Sequence, residues 1–513
     1  MGFRVGFNRL SRDRIIEITL FFILLACFVY TFPRWADPNQ NSRLNMVFAV
    51  VEDGTFQIDR YVENTVDYAK VGEHYYSDKA PGTAFLGIPI YAGLKGFLDL
   101  PVLEGVMGRL DNNEAFRSTL RAGGTGILAE KVRFAIAQVV LAFFLASLPS
   151  ALTGVLMYRV MGSFSIKLWP RLIAVLGYGL LTPAFPYAGA LYGHQLSAAL
   201  LFAAFYVIFM RRGRLTAGPL LIVGGLLGYS VVTEYPSLIM VGVLVVYLLF
   251  ILQQYQDWWL AGWVVLSGGI IAAAWMAYNS TIFGGPLNLG YSQSELWTDQ
   301  HGTGFMSLTL PHLEAAWGIT FSVFRGLFFL SPWLLLFLPG LTLWWQSRKH
   351  RAEFWVVLTS VLGMFLFNAS SIMWWGGFAV GPRYLLPMLP FMVLPTALVF
   401  ERWGNYGWFR PLAAFFMAWS LVATWGLTLA GQAFPSDSIR SPLFEYALPN
   451  WLEGNIARNL GTIAGVPGLW SLLPLLILLL MISAAGWIFL RRSTYNLLDE
   501  FMVAFGEKDL SEP

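Results

Sequence analysis

Cysteine is almost missing from this chain: Cys27, inside the first apolar segment, is the only one among 513 residues. It can form neither an intrachain disulfide nor a CxxC metal site, and it leaves the redox compartment open. Charge is scarce as well. Asp, Glu, Lys and Arg make up 12% of the chain, against 57% for the apolar and aromatic set AVILMFWYC. A mean hydropathy of +0.59 lies well outside the range of soluble domains, so the composition is that of a polytopic membrane protein. The net charge of +3 is small, and the basic residues cluster beside apolar runs, not in a stripe interleaved with aromatics. Nucleic acid is not expected as a partner. No repeat period, no low-complexity linker and no soluble domain of ordinary size fits between the apolar runs. One membrane domain over 1–513 is the simplest organisation, with a large first outer loop at 33–132 and a cytoplasmic tail at 491–513.

What the sequence does contain is a series of apolar segments. Runs at 15–32, 133–158, 171–187, 195–210, 217–232, 237–252, 259–278, 320–345, 353–372, 384–400, 409–430 and 469–490 predict an all-α protein with about twelve spanning helices. The first follows Arg4, Arg9, Arg12 and Arg14 as a signal peptide would. It is too long for an h-region, and is read as a retained helix. If residues 83–98, with Pro89 and Lys95, do not cross, the clusters Arg159/Lys167/Arg171, Arg211/Arg212/Arg214, Arg348/Lys349/Arg351, Arg402/Arg410 and Arg491/Arg492 share one side. The positive-inside rule makes that side cytoplasmic, with both termini. Segment 83–98 then lies on the outer face as an interfacial helix. Many of the 21 tryptophans stand at segment ends, among them Trp35, Trp169, Trp258, Trp297, Trp374 and Trp451, as interfacial anchors do.

The same topology puts the polar features outside. Residues 39–82 hold seven carboxylates (Glu52, Asp53, Asp59, Glu63, Asp67, Glu73, Asp78) and four cations (Arg43, Arg60, Lys70, Lys79). That much charge cannot lie unpaired in hydrocarbon. Ser42 is expected to cap a helix from Arg43 to Glu52 that ends at Gly54. Its apolar residues Leu44, Val47, Phe48 and Val51 recur at helical spacing, predicting an amphipathic helix lying along the outer membrane surface. The chain then reaches His74-Tyr75-Tyr76-Ser77-Asp78-Lys79-Ala80-Pro81-Gly82. Asp78 and Lys79 can address different parts of one ligand, and the helix start after Pro81-Gly82 adds potential favourable to phosphate. The same residues would also serve as a surface Asp and Lys at a turn.

A charged loop after the first helix, an amphipathic stretch and SDKAPG (77–82), together with AGALYGHQLSAAL (188–200), FGGPLNLGY (283–291) and WWGGFAVGPRYLLPMLP (374–390), resemble the membrane glycosyltransferases of the GT-C fold. That group includes the protein O-mannosyltransferases and the aminoarabinose transferase of lipid A. The resemblance implies a plasma-membrane enzyme of bacterial or archaeal type that takes sugar from a polyprenyl-phosphate carrier. It also implies a catalytic acid just before the first amphipathic helix. Here Asn39-Gln40-Asn41-Ser42 stand there, with Asp37 slightly upstream, and His194 stands where a second acid is common. The proton acceptor then falls to Asp37, Asp53, Asp59, Asp67 or Asp78, or to His194.

The chemistry can also be argued from the residues. Nucleotide sugars are cytoplasmic, so an outward-facing transferase would draw on a lipid-linked sugar already in the bilayer. It needs a greasy groove, cations for the phosphate and a base for the acceptor hydroxyl. Lys79 and Arg383 are the expected phosphate cations, although Arg383 also suits a snorkelling interfacial arginine. Arg43, Tyr76, His194, Glu234 and Tyr291 are the other candidates for substrate contact; His194 and Glu234 also suit polar helix-connecting tips. Glu295, Asp299 and His301, with Tyr291, suit sugar binding, and their irregular spacing argues against a metal site. No cofactor is expected, and a divalent metal is left open. The acceptor is a lipid, a glycan or a protein. Two other classes compete: a transporter or flippase, which would place ionisable residues at span centres, and a non-enzymatic assembly or receptor subunit.

Overall fold

The computed structural model describes residues 11–34, 37–112, 131–164, 166–296, 300, 303–304 and 307–506. Arg4, Arg9, Trp35, Trp297, Asp299 and His301 lie outside the described residues, as do 113–130 of the first loop and the end of the tail.

The chain opens with α1 (Arg12–Tyr30), then α2 (Pro38–Glu52), a hairpin of β1 (Tyr68–Val71) and β2 (His74–Ser77), and α3 (Gly82–Leu98) running into α4 (Pro101–Asp111). Eight helices among the described residues are long and apolar enough to cross a membrane, nine if α3 and α4 count as one bent span. They are α5 (Lys131–Ser163), α8 (Gly193–Arg211), α10 (Ser237–Gln254), α11 (Trp258–Phe283), α14 (Arg351–Ser370), α15 (Arg383–Trp403), α16 (Phe409–Leu429) and α17 (Gly468–Arg491). Between them lie α6 (Leu168–Leu180), α7 (Ala184–Ala188), α9 (Ala217–Thr233), α12 (Leu313–Thr320) and α13 (Phe337–Ser347). The protein is thus an integral membrane protein built mainly of helices.

Local chemistry explains the other four expected spans. α1 is long enough, but Arg12, Asp13, Arg14 and Glu17 charge its first turns. The run 171–187 breaks before Pro183 into α6 and α7, and 320–345 breaks at Ser331-Pro332, because proline lacks the N–H and disfavours helix in the residue before it. α9 is apolar throughout but only 17 residues long. α3 and α4 meet at 72°, the geometry of a broken or re-entrant segment.

Two hydrophobic cores result. The larger joins α1, α5 to α10 and α13 to α16. The smaller gathers Leu44, Phe48, Ile58, Tyr61, Tyr91 and Phe134 around α2, with Phe48 stacked on Tyr91 at 4.3 Å.

The expected surface helix 43–52 is corrected here. α2 begins at Pro38, and Asp37 caps it by accepting from the Gln40 N–H at 3.1 Å. It is buried within the protein from Asn39 to Ala49, so its apolar stripe packs against the chain and not against lipid. Its polar residues tolerate burial because they find partners: Ser42 Oγ meets Ser77 Oγ at 2.8 Å, Asn45 donates to the Tyr61 carbonyl at 3.0 Å, and Gln40 accepts from the Leu191 N–H at 2.8 Å. The all-α expectation also missed the β1–β2 hairpin. Its two-residue turn places Gly72 at φ +61°, a conformation that glycine adopts without steric cost.

Candidate active site

The hairpin builds the first part of the site. Tyr68 pairs with Ser77 at its open end, so the next residue on each strand, Asp67 and Asp78, flank the same opening. Lys79 Nζ bridges them, 3.0 Å from Asp67 Oδ2 and 3.2 Å from Asp78 Oδ2. Gly82 then docks on the end of α9. A Cβ there would lie 2.8 Å from the Thr233 backbone nitrogen, and Tyr229 donates to the Gly82 carbonyl at 2.7 Å. Gly290 packs as closely on the other side, where a Cβ would come within 2.9 Å of Asp78 Cα. This puts the Tyr291 ring 5.5 Å from Lys79 Nζ. Gly82 of SDKAPG and Gly290 of FGGPLNLGY are therefore contact points at which two backbones meet.

α2 supplies the second part. Arg43 pairs with Glu234 at 2.9 Å, with both side chains buried, and is braced by the side chain of Asn39. The other Glu234 oxygen faces His194 Nδ1 at 3.5 Å. Asp37 Oδ2 accepts from the Tyr192 hydroxyl at 2.5 Å. Arg383, the first residue of α15, lies over the rings of Tyr192 and Tyr384 at 5.2 and 5.4 Å. Among the described residues it forms no ion pair, and its Nε has no hydrogen-bond partner. It remains partly exposed while its neighbours Asp37, Tyr187 and Tyr192 are buried.

The electrostatics divide the cluster. Burial pushes the Asp78 carboxyl up to about 6, against the pull of the Lys79 ammonium. Burial also raises Asp37, opposed by the Tyr192 hydrogen bond and by Arg383, and raises Glu234, opposed by Arg43. Burial alone would lower Lys79, but the carboxylates of Asp67 and Asp78 outweigh it and hold its pKa above the usual value. Lys79 is thus neutralised by the protein itself, whereas Arg383 forms no close ion pair among the described residues and acts on Asp37 and Glu234 only from a longer distance.

Asp37, Asp78, Lys79, Arg43, Glu234, His194, Tyr291 and Arg383 come together in this way. Asp53, Asp59 and Tyr76 do not join them. Asp53 accepts from Arg60 at 3.2 Å and from the Tyr61 hydroxyl at 2.8 Å. Asp59 faces His74 at 2.7 Å and accepts from the Tyr75 N–H at 2.6 Å, on the exposed side of the hairpin. Tyr76 sets its ring edge-on to Phe283 in the smaller core. Glu295 accepts from Tyr68 and pairs with Lys70. Among the described residues no three of His, Cys, Asp and Glu gather as a metal site.

Sequence reasoning passed over Tyr192, although it stands inside the quoted 188–200 stretch. It also passed over Arg325, fully buried, whose guanidinium donates to the carbonyls of Trp375, Gly377 and Pro435 and so holds the loop before Arg383. An arginine inside an otherwise apolar run, as in FSVFRGLFFL, was the available signal.

An apolar groove of about 220 Å³ lies between the end of α1 and the π-turn Phe143–Ser147 of α5, lined by Phe28, Val29, Phe32, Pro33, Val140 and Phe143.

Fold and site together define a polytopic helical membrane protein with a buried mixed-charge cluster and, on α1 and α5, an apolar groove. No family model and no curated protein matches the chain. Among solved structures it is similar to ArnT from Cupriavidus metallidurans in the apo state, at 14% identity and a TM-score of 0.46, over 93% of this chain and 72% of that one. It is also similar to ArnT from Cupriavidus metallidurans bound to undecaprenyl phosphate, at 14% identity and a TM-score of 0.44, over 85% and 73% of the two chains.

Proposed function

We propose that this protein is an integral-membrane glycosyltransferase that moves a sugar from a polyprenyl-phosphate carrier to an acceptor hydroxyl on the extracytoplasmic face. The observation that carries the reading is the arrangement around Tyr192: a buried carboxylate, Asp37, on its hydroxyl and over its ring an arginine, Arg383, that forms no close ion pair among the described residues. In a single inverting displacement the acceptor oxygen attacks the anomeric carbon as its proton passes to the carboxylate. The bond from that carbon to the phosphate oxygen breaks, and the lipid phosphate leaves with the electron pair. Arg383 would hold the leaving phosphate through charge-assisted hydrogen bonds, and the groove at Phe28–Pro33 would take the first isoprene units. The start of α2 supports Asp37 as the base, because this acid immediately precedes the helix, where the resemblance places the catalytic acid.

Asp78 is the second reading for the base, favoured by its Oδ1, which is buried without a partner. Purified protein in detergent, offered synthetic polyprenyl-phosphate sugars, tests the reading. Transfer is expected from wild type, with losses of roughly 10²–10⁴-fold in Asp37→Asn and a comparable loss in Arg383→Ala. Unchanged turnover in both variants would refute the site, and a loss in Asp78→Asn alone would move the base to Asp78.

A further inference from the structure

A cluster of basic residues lies on turns that the proposed reaction does not use. Phe164 and two turns far from it in sequence, at 211–214 and 348–351, meet on one aromatic cluster. The Phe164 ring lies 4.7 Å from His350, 5.4 Å from Phe209 and 5.0 Å from Trp344, and Phe209 and His350 are 5.7 Å apart. The cluster fixes Arg211, Arg212, Arg214, Arg348, Lys349 and Arg351 around one small area. Among the described residues none of these six forms an ion pair. Arg212 lies 4.1 Å over Phe209, and Arg351 lies 3.8 Å over Trp345, so aromatic faces hold two of the cations in place. Arg211, Arg214, Arg348 and Lys349 are exposed.

The opposing acids are few. Glu353 is buried, accepts from the Tyr247 hydroxyl at 2.7 Å and faces His350 at 3.9 Å. Asp257 follows Tyr255, whose hydroxyl would lie 2.8 Å from a Cβ on Gly213. The patch keeps a large positive excess, which like-charge repulsion makes costly unless an anion answers it.

Depth identifies the anion. Trp345 and Trp355 beside the patch, and Trp258 and Trp259 at the neighbouring turn, are 44%, 51%, 49% and 70% exposed. Exposed tryptophans at the ends of spans mark the headgroup level of a bilayer. A phosphate group at that depth belongs to a lipid. We infer that the turns 211–214 and 348–351 form a binding surface for anionic phospholipid headgroups. This assignment is independent of the transferase reading.

The test is lipid selectivity of the full chain in nanodiscs of mixed phosphatidylcholine and phosphatidylglycerol, read with spin-labelled versions of each lipid. Wild type is expected to prefer phosphatidylglycerol by roughly fivefold or more, about the contribution of one cation near a membrane surface, and to lose the preference in high salt. Arg211→Gln/Arg214→Gln/Arg348→Gln/Lys349→Gln should show none, with an unchanged melting temperature in neutral detergent. The single Lys349→Gln variant, at an exposed position, guards against misfolding and should show an intermediate value. A wild type without preference, or a quadruple variant that keeps it, overturns the assignment.

Discussion

At the scale of single residues, the site is a set of buried charges whose neutralisation differs from one to the next. Arg43 and Glu234 answer each other, and removing one partner leaves the other charged in a dry place. Arg43→Met should therefore destabilise by roughly 3–5 kcal/mol, and Arg43→Met/Glu234→Met should recover most of that, as thermal unfolding in detergent would record. Asp78 predicts a pH effect. Its carboxyl is held near 6 in the folded protein against an ordinary value near 4, so between those limits the folded state binds more protons than the unfolded chain. This contribution makes stability rise as pH falls from about 6 to about 4. Melting temperatures measured across that window should show the rise in wild type relative to Asp78→Asn. If Asp78 is instead the base, the acidic limb of the rate profile should also lie near pH 6 and vanish in the variant.

Elements decide which residues become neighbours. The hairpin register sets Asp67 opposite Asp78, and the close seat of Gly82 on Thr233 brings that pair to Glu234. Gly82→Ala would press a methyl group into the backbone of α9, at a cost of roughly 1–3 kcal/mol and with loss of transfer activity. Gly93, on the exposed face of the same α3, has open space around it, and Gly93→Ala should be neutral or slightly stabilising. A melting curve for each variant separates the two. α2 shows why element boundaries were only partly legible. The apolar spacing of Leu44, Val47, Phe48 and Val51 identified a helix, but the same spacing fits one lying on a bilayer and one packed inside protein. The hairpin escaped notice because four-residue strands carry too little alternation, although Gly72 between Tyr- and Val-containing runs was a usable sign.

For the whole molecule, the basic patch and its tryptophans lie on turns at the ends of spans, remote in sequence from the acidic cluster. The proposed orientation puts the patch in the cytoplasm and the cluster outside. In a Cys27→Ala background, a cysteine at Lys349 should resist membrane-impermeant maleimide in intact cells, and one at Asp59 should react. The reverse pattern would invert the topology and place the proposed chemistry on the wrong face for a carrier-linked sugar.

Composition and apolar run length alone determined that this is a polytopic helical membrane protein, and eight of the expected spans stand as helices long and apolar enough to cross. Those signals are local: hydropathy and helical period are read within one turn or one span. Motifs likewise marked Asp78, Lys79, His194, Glu234 and Arg383 as candidates. Which of them meet was decided only in three dimensions, because Arg43 and Glu234 lie 191 residues apart and Asp37 and Tyr192 155 apart. A cation's availability depends on what else its fold brings near it. Lys79, prominent in the sequence, is occupied by two carboxylates, whereas Arg383, which sequence could not distinguish from an interfacial anchor, forms no close ion pair among the described residues.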